Sequence, residues 1–105
     1  MTDLEINKAL AIAIGYKPEQ MNVFEYMFNR ELCYSLRITP TAREGWQTFN
    51  YRDWNVIGPI AAKYDCFPCL VGDENVGTAW RCDWAEEADT PQKAITLAVI
   101  QGIKK

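Results

Sequence analysis

The sequence predicts an α+β domain built on a small, mainly antiparallel sheet, and three observations point there. The chain opens on a capping-box spacing, Thr2-Asp3-Leu4-Glu5, and a Thr90-Pro91 helix start stands near its end. Between them, short apolar runs alternate with polar residues and are separated by an acidic, glycine-bearing gap at Asp73-Glu74-Asn75-Val76-Gly77, which reads as a hairpin loop. The expected order is helix, an undetermined segment, two strands, helix, two strands, helix, or approximately α-β-β-α-β-β-α.

The first helix takes Thr2 as its cap and Ile6, Ala9, Leu10, Ala13 and Ile14 as its apolar set, and Gly15 stops it. Residues 17–30 fit two patterns. Met21, Phe24, Met27 and Phe28 have helical spacing, while Val23, Glu25 and Met27 alternate with Phe24, Tyr26 and Phe28 as a strand would. Tyr34, Leu36 and Ile38 alternate with Ser35, Arg37 and Thr39, a strand ended by Pro40, and residues 45–49 form a second short strand carrying Trp46.

A middle helix is expected from an Asn50 cap, with Asp53 favouring the positive end of its dipole and Trp54, Ile57, Ala61 and Tyr64 on one stripe. Pro59 crowds the carbonyl of Asn55, so this helix either kinks there or starts late. The hairpin follows in residues 66–72 and 78–84, where Trp80, Cys82 and Trp84 share one face and Ala79, Arg81 and Asp83 the other. The last helix runs from the Thr90 cap through Ala94, Ile95, Ala98, Val99 and Ile103.

At 105 residues, 49% of them hydrophobic, the chain is expected to be a single domain, 1–105, with its own core. Its net charge of -3 lacks the clustered positive field of a protein that neutralises a nucleic-acid backbone, so no nucleic-acid polymer is expected as partner. No stretch is apolar enough for a membrane span, and Met1-Thr2-Asp3 leads into a polar-punctuated helix where a signal peptide would be basic and then hydrophobic. The expected compartment is the cytosol. There Cys33, Cys66, Cys69 and Cys82 stay thiols.

The absence of histidine removes the commonest general base and every Ser-His or Cys-His nucleophile, so no catalytic residue is expected. Cys66-Phe-Pro-Cys69 runs into Leu70-Val71 and a hairpin loop, whereas a redox pair would sit at a helix N-terminus. With Cys82 and Cys33 it could form a four-thiolate zinc site, although a second closely spaced pair is missing; buried small-hydrophobe thiols are the favoured alternative, and no metal or cofactor is expected. Aromatic residues interleave with arginines, as in Arg43 near Trp46, Arg52 beside Tyr51 and Trp54, and Arg81 beside Trp80. Such sets can stack a planar base and pair with a phosphate, making Arg43, Trp46, Arg52 and Arg81 the candidate ligand-binding residues. Adjacent strand residues face opposite ways, however, so Trp80 and Arg81 cannot both meet one ligand.

The opening Asp3-Leu4-Glu5-Ile6-Asn7 with its Gly15-Tyr16 exit resembles the small bacteriophage proteins of the phage ABA sandwich domain family. So do Tyr51-Arg52-Asp53-Trp54, Trp80, and Thr90-Pro91 with Ala94, Ile95 and Ala98. Residues 17–44 lie outside the likeness. The resemblance implies a helix-sheet-helix (α/β/α) sandwich encoded by a phage or prophage, in a family without an assigned activity, and it carries over no catalytic residue.

From this likeness the leading expectation is a non-enzymatic counter-defence protein in the host bacterial cytosol. It would sequester a nucleotide immune signal as a homo-oligomeric sponge, with the ligand enclosed between subunits. The alternative is a protein-protein interaction module that blocks a host defence protein, with exposed aromatics such as Tyr26, Phe28 or Trp46 as anchors. A phage structural accessory role is the third expectation.

Overall fold

The computed structural model describes residues 2–39, 45–71, 79–82, 85 and 87–103. Among the described residues the fold is α+β, with three α-helices and small antiparallel sheets. The chain divides into two compact units, Met1–Asn50 and Tyr51–Lys105.

In the first unit, α1 (Asp3–Ala13) begins where the sequence places it: Thr2 is extended and its Oγ1 accepts the Glu5 N–H at 3.2 Å. Its end is a Schellman arrangement. Gly15, at φ 108°, donates to the Ile12 carbonyl at 3.1 Å, and Tyr16 donates to that of Ala11 at 3.0 Å. A 3-10 turn (Pro18–Gln20) leads into β1 (Met21–Phe28), which settles the undetermined segment as strand and adds one strand to the expected order.

β1 pairs antiparallel with β2 (Glu31–Ile38) over their full length, from Met21 opposite Ile38 to Phe28 opposite Glu31. The two-residue turn Asn29-Arg30 has φ 51° and 65°, the signature of a type I′ hairpin whose twist matches that of the strands. β3 (Gln47–Phe49) pairs with only the last part of β2, Leu36 to Ile38, giving the order β1-β2-β3. α1 packs on β2, and Ile6, Leu10, Ala11, Leu36, Ile38 and Phe49 are buried. The Tyr16 ring meets Phe49 edge-on at 6.2 Å.

In the second unit, α2 (Trp54–Tyr64) starts later than an Asn50 cap would give. Asp53 is the cap, with its Oδ1 accepting the Asn55 N–H at 2.9 Å. The late start places Pro59 so that its missing N–H deprives only Asn55, in the first turn, of an intrahelical partner. Trp54 thereby becomes the first helical residue and is 52% exposed, while the buried stripe is Ile57, Ile60 and Ala61. Asp65 ends the helix in the left-handed region at φ 54°, and Cys66 donates to the Ala61 carbonyl at 2.9 Å.

The expected hairpin forms but is short. β4 (Cys69–Leu70) pairs with β5 (Trp80–Arg81), Cys69 opposite Arg81 and Leu70 opposite Trp80. Pro68 has no N–H to extend the ladder backwards, and Trp80 exchanges both its backbone bonds with Ala88 at 2.8 Å. The expected loop at 73–77, with Asp83 and Trp84, lies outside the described residues.

α3 (Pro91–Ile103) packs on α2 and β5. Thr90 Oγ1 accepts the Lys93 N–H at 3.2 Å, and Ala94, Ile95 and Val99 are buried as the periodicity requires. Thr96 is fully buried inside the helix, its hydroxyl donating to the Gln92 carbonyl at 2.8 Å. Among the described residues no helix is long and apolar enough to cross a membrane.

Candidate functional site

The arginine and tryptophan set is placed piecemeal. Arg43 lies outside the described residues. Trp46, just before β3 in the first unit, is 48% exposed. Arg52 is exposed in the turn ahead of α2, with its guanidinium 5.1 Å from the ring centre of the buried Tyr51 and its carbonyl accepting the Gln92 amide at 3.2 Å. Arg81 projects from β5, and its guanidinium stands 3.9 Å from the Glu87 carboxylate. Each described member is therefore reachable from solvent, and Arg81 already has an acidic neighbour.

The cysteines are all free thiols. The expected burial as small hydrophobes holds for Cys82 alone: Cys69 is exposed, and the half-buried Cys66 and Cys33 donate to the Tyr64 carbonyl at 3.4 Å and the Glu31 carbonyl at 3.7 Å. Cys66 and Cys69 follow the C-terminus of α2, the end whose dipole does not favour a thiolate. Among the described residues no three His, Cys, Asp or Glu side chains gather as a metal-binding group.

The most distinctive surface is the outer half of the β1–β2 hairpin. Residues facing one way on β1 are Asn22, Phe24, Tyr26 and Phe28, and the register sets Arg37, Ser35, Cys33 and Glu31 beside them. On this face the Arg37 guanidinium covers the Phe24 ring at 3.8 Å, and the Phe24 and Tyr26 rings lie 5.8 Å apart. The other face carries Val23 and Met27 opposite Leu36 and Leu32, with Tyr34 opposite Glu25. Here α1 covers Leu36 and Ile38, but Met27, Leu32 and Tyr34 are exposed, as are Tyr26 and Phe28 on the opposite side. An apolar ribbon thus shows both its faces to solvent.

Sequence reasoning reached Tyr26, Phe28 and Trp46 and missed Met27, Leu32 and Tyr34. The signal was present, since a strand half-buried in its own domain alternates apolar with polar, whereas Tyr26-Met27-Phe28 does not alternate at all. Where the ribbon meets α1, an open cleft of about 260 Å³ is lined by Lys8, Ile12, Pro18, Met21, Asn22, Val23 and Leu36. Ile12 at its wall is 59% exposed, so the apolar surface runs on from the ribbon onto the helix. No protein-family model matches the chain, and neither does any curated protein or solved structure.

Proposed function

We propose that the chain is a non-enzymatic binding module that docks a protein partner through the outer half of its β1–β2 hairpin. One observation carries this reading: on the two paired strands Met27, Leu32 and Tyr34 are exposed together on one face, with Tyr26 and Phe28 exposed on the other, all 44% to 64% exposed. Monomeric proteins seldom leave an apolar patch of this kind uncovered, and aromatic side chains are the usual anchors of interfaces. In keeping with the likeness stated for the sequence, the partner is a host defence protein and the module a phage-encoded accessory factor acting in the bacterial cytosol. A helix-sheet-helix sandwich is part of the same proposal.

The test compares a tagged wild-type chain with Leu32→Ser and Tyr34→Ser, both on β2 and away from the outer edge of β1, each expressed in bacteria and purified with whatever protein it retains. A host protein kept in stoichiometric amount by the wild type, lost by both variants, and rebound when the purified components are mixed is the expected outcome. Equal retention by all three chains, or none by any, would overturn the reading.

The second reading, a homo-oligomeric sponge for a nucleotide signal, is favoured by the exposure of Trp46, Arg52 and Arg81. Guanidinium and indole groups open to solvent suit a phosphate and a base. Heat denaturation of protein purified from cells with an active nucleotide-signalling defence should then release an unchanged nucleotide. Arg52→Ala and Arg81→Ala, both in the second unit, should lower the amount retained, and Trp46→Ala tests the first unit separately; if none does, these residues do not bind the nucleotide.

A further inference from the structure

We infer that β1 is a self-pairing edge: two copies of the chain join antiparallel along β1, with Tyr26 opposite Tyr26 of the second copy on the two-fold axis. The inference rests on the binding-module reading only in taking the hairpin as the surface that associates.

The backbone supplies the first argument. A two-residue hairpin loop makes Phe28 and Glu31 a hydrogen-bonded pair, and the alternation of an antiparallel ladder then turns the N–H and C=O groups of Met27, Glu25 and Val23 away from β2. The same alternation turns Leu36 and Ile38 toward β3, where the sheet does continue. β1 is the first strand of the order β1-β2-β3, so among the described residues no strand meets its outward row. Edge strands are ordinarily blunted by lysine, proline or short length. Over its eight residues β1 has no lysine and no proline, and Glu25 is its single charge.

The sequence of the strand selects a second copy as occupant. Phe24-Glu25-Tyr26-Met27-Phe28 has the same character in either direction, aromatic at the ends and centre. Antiparallel pairing about Tyr26 sets Tyr26 against Tyr26, Phe24 against Phe28 and Glu25 against Met27. Every aromatic on that face gains an aromatic partner across the strands, and no like charges are opposed. The neighbouring register centred on Glu25 would place the two carboxylates directly against each other, and the charge disfavours it. A pairing symmetric about one residue is what an isologous, closed dimer requires.

Exposure gives the third argument: Tyr26, Met27 and Phe28, 44% to 64% exposed, lie on β1 itself and are the side chains that a second β1 would flank.

The test is sedimentation of the purified full chain over a dilution series, with circular dichroism confirming the fold of each variant. The wild type should run at twice the chain mass. Tyr26→Lys and Tyr26→Glu each set like charges about 4.5 Å apart at the Cα atoms and should each raise the dimer dissociation constant by about tenfold or more. Mixing the two variants should restore dimers containing one of each, because only a residue facing itself across the axis turns two repulsions into one attraction. Phe67→Lys, at an exposed apolar residue of the second unit, should leave the dimer intact.

A monomeric or irregularly aggregated wild type, a dimer indifferent to either Tyr26 variant, or a mixture that stays monomeric would each overturn the inference. Partner capture is read on a different sample, so a dimer without a host partner, or a partner bound by a monomer, tells which of the two proposals has failed.

Discussion

The two halves of the β1–β2 ribbon are made of similar side chains and meet opposite fates. In the half beside β3, Leu36 and Ile38 are 0% and 5% exposed, whereas Met27 and Leu32, on the same face a few residues along, are 64% and 51% exposed. Length accounts for the difference. The eleven residues of α1 make a rod of about 16 Å, while eight-residue strands run about 27 Å, so even lying along them the helix could not cover the whole face. Alternation in a strand tells which residues share a face; it does not tell whether anything covers that face.

The largest expected effect tests that contrast. Leu36→Ala removes a fully buried side chain beneath α1 and should cost about 3 kcal/mol in urea unfolding, while Leu32→Ala should stay within about 0.5 kcal/mol. Equal costs would mean that the outer half of the ribbon is packed in the isolated chain after all.

Much of the fold was legible because it is written in local chemistry. Thr2, Gly15 and Thr90 all mark helix ends in the structure, since a cap needs only its own side chain or φ angle and the next few N–H groups. Choices between good local options were not legible. Asn50 and Asp53 are both strong caps, and the local chemistry of residues 50–53 does not rank them; in the structure Asp53 caps and Tyr51, ahead of it, is completely buried.

β1 was hidden for a different reason. Its apolar residues on both faces satisfy helical spacing as well as alternation, and the turn that would have declared the hairpin has arginine where glycine is usual. The same double-sided apolarity that obscured the element is what makes it the candidate site. Arg52, Arg81 and Trp46 are residue types suited to a ligand, but spacing along a chain does not bring side chains together, and exposure is all that supports them.

The turn offers the next sharpening of the comparison. Arg30 holds φ 65°, a conformation that costs an L-residue roughly 1 kcal/mol or more and glycine almost nothing. Arg30→Gly should therefore stabilise the chain by up to about 1 kcal/mol, the gain being offset in part by the greater freedom of glycine when unfolded. Amide exchange should slow most at the tip, where the hairpin has no other cover. A loss of stability would show that the Arg30 side chain has a role there.

The smallest effect concerns Tyr34, which stands opposite Glu25 on the uncovered face and is 49% exposed. If that face contributes nothing to the stability of a single copy, Tyr34→Lys forfeits little burial and gains an opposite-charge cross-strand pair with Glu25, a contact of roughly 0.2–1 kcal/mol. The urea midpoint should stay put or rise slightly. A partner protein seated on Met27, Leu32 and Tyr34 would instead lose affinity by far more than the fold loses stability, because an ammonium group in the middle of an apolar contact must be desolvated without a partner of its own. Unchanged stability with lost binding would assign the outer face to a partner. Lost stability would return it to the fold, and the two halves of the ribbon would no longer differ in kind.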